Sequence, residues 1–214
     1  MNKAPLMHKA LIALPLLLMM SACNGGPSAS GGSESTQGDL AGAAIGAPFT
    51  LTDQDGKTVK WSDFTGKYRL VYFGYTYCPD VCPLDLSKIV AGFKALEKSD
   101  PAKAARLQMI FITVDPQRDT PAVLRTYVGA FDPHLIGLTG PVEEIEKVKK
   151  AFVVVASKEG DQKATQDYLV SHTRTPFLFG PDGKPIALVP TADDMSAEKT
   201  NGETIRAFLE KWVK

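Results

Sequence analysis

Tyr68-Arg-Leu-Val-Tyr-Phe-Gly-Tyr-Thr-Tyr-Cys78-Pro-Asp-Val-Cys82-Pro83 decides how this chain folds. From Arg69 to Tyr75 the run is apolar on both faces, the pattern of a buried strand. From Leu84 to Glu97 the apolar positions Leu86, Ile89, Val90, Phe93 and Leu96 recur at helical spacing. A core strand therefore hands over directly to a helix, with Cys78 and Cys82 at the junction. Both prolines fall in or near the first helical turn, where a missing N–H is tolerated. The exposed N–H groups and the dipole at a helix start favour thiolates and lower a cysteine pKa. A four-residue offset puts both sulfurs on one side if the turn is helical.

Working outward, Phe49–Thr52 and Thr58–Trp61 flank Asp55-Gly56, a hairpin signal. Leu107–Val114 reads as a second core strand. Asp119-Thr120-Pro121 starts a helix through Phe131, with a polar cap before a proline. Leu135–Leu138 is a short strand, Val142–Phe152 a charged amphipathic helix and Val153–Ala156 a strand. Phe177–Gly180 and Ile186–Val189 bracket Asp182-Gly183, a second hairpin, and Glu203–Val213 closes the chain as a helix. Strand–helix–strand crossovers followed by a hairpin imply an α/β protein with a mixed central sheet flanked by helices. With its N-terminal β-hairpin and inserted segment, this order resembles a thioredoxin-like fold.

The 214 residues carry 24 basic and 24 acidic side chains, which supplies no electrostatic reason to bind nucleic acid. Residues 1–22 read as a leader: Lys3, His8 and Lys9 precede the apolar run Ala10–Met20, which is too short to span a bilayer. Met20-Ser-Ala-Cys23 resembles a bacterial lipoprotein signal, in which Cys23 is lipidated and becomes the mature N-terminus. The plainer alternative is a secretory peptide that ends near a cysteine. Cleavage removes Lys3 and Lys9 and leaves a slightly acidic chain. Residues 23–44 are the lipidated cysteine and a Gly/Ser/Ala tether that cannot bury enough apolar surface to fold. The folded domain is expected over residues 45–214.

With Cys23 spent on lipid, Cys78 and Cys82 remain for chemistry. A structural disulfide is the bland reading in an oxidising compartment. A loop this short adds little constraint to the unfolded chain, so a functional pair is the better reading. As a redox pair, Cys78 is the expected attacking thiol, being nearer the turn and more exposed. Of the histidines, His134 sits in a polar turn and reads as solvated. His172 lies between Tyr168-Leu-Val170 and the strand Phe177-Leu-Phe179. In a thioredoxin-like sheet that junction lies beside the cysteines. Soft thiolates select Cu(I), and imidazole also suits Cu(II), so Cys78, Cys82 and His172 together can hold copper in both states. Zinc accepts the same donors, but a closed structural zinc site normally has four.

Four motifs, Gly74-Tyr-Thr-Tyr-Cys78-Pro-Asp-Val-Cys82-Pro83, Val114-Asp-Pro-Gln-Arg-Asp-Thr-Pro121, Phe131-Asp-Pro-His-Leu-Ile-Gly-Leu-Thr-Gly140 and Tyr168-Leu-Val-Ser-His172 leading to Gly180-Pro-Asp-Gly183, resemble the Sco/SenC family of copper-binding thioredoxin-fold proteins. That resemblance implies copper ligation by Cys78, Cys82 and His172. It implies a membrane-tethered metallochaperone for the CuA site of cytochrome c oxidase subunit II. The alternative it carries is a thiol–disulfide oxidoreductase acting through Cys78 and Cys82 on the cysteines that receive the metal. Other periplasmic copper chaperones or thiol reductants are further expected partners. The expected location is the periplasmic side of a bacterial membrane, the inner membrane by family precedent, although Asn24 follows the lipidated cysteine.

Asp115 and Asp119 match family positions, and local physics reads them as strand termination and helix capping. Two features depart from or extend the pattern. Ser171 stands where the family often has Asp beside its histidine, so a carboxylate that could tune the site is missing. Thr175-Pro176 stands where thioredoxin-like oxidoreductases carry a cis-proline; the alternative is a trans proline beginning a strand.

Overall fold

The Asp55-Gly56 signal makes the hairpin that opens the sheet: β1 (Thr50–Asp53) pairs antiparallel with β2 (Thr58–Lys60). Gly56 takes the left-handed conformation that such turns need. The computed structural model describes residues 38–161, 166–191 and 200–214. The leader, Cys23 and the tether up to residue 37 lie outside the described residues. A 3-10 turn (Trp61–Phe64) leads into β3 (Tyr68–Gly74), which is buried at every position. Then come α1 (Val81–Ser99), a short α2 (Pro101–Ala104), β4 (Leu107–Thr113), α3 (Pro121–Gly129), β5 (Leu135–Thr139) and α4 (Val142–Ala151). The chain continues through β6 (Ala156–Lys158), β7 (Val170–His172), β8 (Phe177–Phe179), β9 (Pro185–Leu188) and α5 (Gly202–Trp212).

Seven strands form one mixed sheet in the order β2-β1-β5-β4-β3-β8-β9. β3, β4 and β5 run parallel, and β1 and β8 flank them antiparallel. Alternation along β3 sorts its side chains to two faces. Phe73 joins Phe152 after α4, with Trp61 and Phe179 completing an aromatic cluster on one face. Tyr72 lies on the other face with Phe111, which meets Tyr127 of α3. α5 crosses α1 closely at Gly92, where a Cβ would fall 2.5 Å from Ile205. The expected mixed sheet with both faces covered is what forms.

Three boundaries differ from the sequence expectation. The strand expected at Val153–Ala156 does not form there. Val153 instead adopts φ 57° and ends α4, with the Val154 N–H returning to the Lys149 carbonyl at 2.8 Å. That is the helix-ending geometry usually given to glycine. The strand begins at Ala156 and pairs with β7 in a separate two-stranded ribbon. The domain also starts before Ile45. The Leu188 N–H donates to the Gly38 carbonyl at 2.7 Å, and the Leu40 N–H to the Ile186 carbonyl at 2.8 Å. Gly38–Leu40 thus covers backbone groups that the edge strand β9 would leave unpaired. Finally, α1 starts at Val81 rather than Leu84, with Asp80 as its cap residue.

Candidate metal and thiol site

The site lies where β3 ends and α1 begins, at the carboxyl ends of the parallel strands, the usual place for chemistry in an open α/β sheet. Cys82 is the second residue of α1 and is fully buried; Cys78 stands in the loop before the helix and is 8% exposed. Only Cys82 is therefore helical, and the two sulfurs are not stacked on one helical turn. The Asp80 side chain makes no capping bond. The Cys82 N–H donates to Cys78 Sγ at 3.4 Å, so a sulfur does the capping. Both cysteines are free thiols. Gly74 makes room for Cys82: a Cβ there would lie 3.2 Å from Cys82 Sγ and 2.9 Å from the Phe111 ring.

His172, at the end of β7, reaches this junction. Its Nε2 lies 3.1 Å from Cys82 Sγ, and its Nδ1 lies 2.9 Å from the Thr173 carbonyl. A carbonyl only accepts, so Nδ1 carries the proton and Nε2 presents a lone pair to the sulfur. Burial lowers the His172 pKa, which keeps the ring neutral. Tyr75 and Tyr72 meet the ring edge-on at 5.9 Å and 6.4 Å. Burial also drives the Cys82 thiol up, well above the ordinary range. Desolvation is the largest cause, so the thiol moves in the direction opposite to the lowering expected at a helix start.

The expected trio is thus only partly assembled. Cys82 and His172 touch, and Cys78 joins them through the Cys82 amide. Among the described residues no three Cys, His, Asp or Glu side chains converge in metal-holding geometry. The donors nonetheless suit a soft metal ion: two sulfurs and a neutral imidazole whose tautomer is fixed from behind.

Sequence reasoning missed the groups that hold this junction. Asp119 does not cap α3; Thr120 does, accepting the Val123 N–H. Asp119 instead accepts from the Thr76 N–H at 3.0 Å, the Thr76 hydroxyl at 2.6 Å and the Thr113 hydroxyl at 2.6 Å. It thereby fastens the cysteine loop to β4. Burial raises its pKa against the pull of those hydrogen bonds. Asp115 bonds Arg118 at 2.5 Å and accepts from the Tyr168 hydroxyl at 2.7 Å. Asp85 is fully buried three residues after Cys82 and pairs with Arg174. A charged residue on the apolar stripe of α1 was the available signal for Asp85. His134 is solvated as expected, with Nδ1 2.9 Å from Asp132. Thr175–Pro176 is trans, since no peptide bond among the described residues is cis, and Pro176 leads into β8.

Comparison with known proteins places the chain in a family. The SCO1/SenC family model matches residues 37–208. Protein SCO2, mitochondrial, of Saccharomyces cerevisiae is 39% identical over 169 residues, 78% of this chain and 55% of that protein. The chain spans about half the length of the curated relatives it matches. The structure of Bradyrhizobium japonicum ScoI with copper bound is similar, with a TM-score of 0.68 and 40% identity, covering 79% of this chain and 99% of that one. So is BsSco, with a TM-score of 0.57 and 25% identity over 82% of this chain and 96% of that one. BsSco is described as having a disulfide switch and as a member of the Sco family of cytochrome c oxidase assembly proteins. The chain belongs to the SCO1/SenC family.

Proposed function

We propose that this protein binds copper through Cys78, Cys82 and His172 and hands it to the CuA site of cytochrome c oxidase subunit II. The observation that carries the reading is the 3.1 Å approach of His172 Nε2 to Cys82 Sγ, with Nδ1 engaged by Thr173. Copper bound in ScoI of Bradyrhizobium japonicum supports the metal. Both thiols must lose protons to ligate, so binding releases protons into solvent and closes Cys78 onto the other two donors. A three-donor site leaves a position from which the metal can be passed on. Exposed Tyr77 and Leu84, beside Cys78 and Cys82, offer an apolar rim to a docking protein. Lipidation at Cys23 would hold the domain at the periplasmic face of a bacterial membrane, an assignment that rests on Ser21-Ala22-Cys23.

Anaerobic titration of the reduced protein with copper, followed by mixing with an apo CuA domain, tests the reading. It expects stoichiometric uptake that requires all three side chains, then transfer. Unchanged affinity for both copper oxidation states in His172→Ala sinks the ligand set. A second reading, thiol–disulfide exchange, is favoured by two adjacent free thiols of unequal exposure and by the disulfide switch of BsSco. It expects exchange with the CuA cysteines through Cys78 that tolerates loss of His172.

A further inference from the structure

We propose that Arg174 and Asp85 form a charged clamp that holds His172 against Cys82 and balances the two copper oxidation states at the site. The proposal rests on the copper reading above. Asp85 lies on α1 three residues past Cys82, and Arg174 lies two residues past His172. Arg174 Nε donates to Asp85 Oδ2 at 3.1 Å and Nη2 to Oδ1 at 3.0 Å, a two-pronged pairing that fixes orientation as well as distance. The Tyr72 hydroxyl of β3 donates to the same Oδ2 at 3.2 Å. Helix, sheet and histidine segment are thereby joined at one buried carboxylate. Asp85 is fully buried, whereas the Arg174 side chain is 37% exposed.

The pair is neutral as a unit, which matters for the metal beside it. Cu(I) with two thiolates carries one negative charge; Cu(II) with the same ligands carries none. A fixed charge nearby therefore discriminates between the two states. Removing the carboxylate leaves an unbalanced cation and favours the Cu(I) complex. Removing the guanidinium leaves an unbalanced anion and favours Cu(II). A clamp that mattered only for stability would move both states together.

The test uses the full chain and Asp85→Asn, Arg174→Gln and Arg174→Lys, with Cu(I) and Cu(II) affinities measured by chelator competition. Asp85→Asn should raise the Cu(I)-over-Cu(II) affinity ratio about tenfold, and Arg174→Gln should lower it about tenfold. Arg174→Lys keeps the charge but loses the fork, so its ratio stays near the parent's. Shifts of the same sign in Asp85→Asn and Arg174→Gln, or no shift in either, overturn the charge role. A metal-free arm reads the His172 ring by nitrogen NMR in the reduced protein. The parent should show the Nδ1–H form alone, and Arg174→Lys a mixture of tautomers. An unchanged ring in Arg174→Lys and Arg174→Gln overturns the clamp. If the parent takes up no copper, the functional reading and the oxidation-state role fail together, and the ring signals alone decide the clamp.

Discussion

On one face of the sheet Phe49, Trp61, Phe73, Phe152 and Phe179 meet ring to ring, with the buried Arg69 stacked on Trp61 at 4.4 Å. On the opposite face the same strands place Tyr72, Gly74 and Thr113 against Cys82, Asp85 and Asp119. The first face gains its stability from apolar area and shape, so its residues are replaceable by others of similar size. The second is held by hydrogen bonds that join segments far apart in sequence. There a single deletion strands a buried partner and moves the donors. The fold is robust on the first face and its chemistry depends on the second.

Substitutions on the two faces should separate stability from binding. The largest effect is expected from Cys82→Ser, which should cut copper affinity by roughly a hundredfold or more with little change in thermal stability, read by chelator competition. Phe152→Ala should cost about 3–5 kcal/mol in denaturant unfolding, while the folded fraction keeps the parent's copper affinity. Equal losses of copper affinity in these two variants would mean that the faces are not independent. Asp119→Ala leaves Thr76 and Thr113 donors unpaired and should cost about 1–3 kcal/mol. It should also speed alkylation of Cys78 in the reduced protein, measured by mass spectrometry, since the loop before α1 loses its tie to β4.

The smallest effect is expected with pH. The folded His172 pKa lies below the ordinary 6.5, so the unfolded chain binds its proton first. Its contribution to stability is complete above about pH 6.5 and is lost as pH falls toward the lower folded value. Unfolding of the metal-free, reduced protein between pH 5 and 8 should show this slope, and His172→Gln should flatten it.

Periodicity and turn signals located most elements, because β3, β4 and α1 carry long, unmixed patterns. Val153 escaped such reading because a valine in a left-handed conformation has no local signature; the helix-ending geometry at that position sets it. Gly38–Leu40 reads as tether because its composition is that of a linker, and only the unpaired edge of β9 recruits it. Asp119 sits before a proline-started helix and looks like a cap, yet Thr120 caps and Asp119 turns to Thr76. Asp85 and Arg174 lie 89 positions apart, and no spacing rule links them.

What the sequence by itself determined is most of the order of strands and helices, the handover at Cys78–Cys82, and the donor types that make His172 a candidate partner. Those follow from hydrophobic period, proline placement and the donor chemistry of sulfur and imidazole, all of which are local or compositional. The tertiary structure alone decided the ring tautomer, the burial that raises the Cys82 thiol, and the carboxylates that brace the site. The tautomer is set by the carbonyl of the next residue, Thr173, in the conformation the fold imposes there. The other two depend on which distant groups share a low-dielectric space, and that is a property of packing rather than of neighbours along the chain.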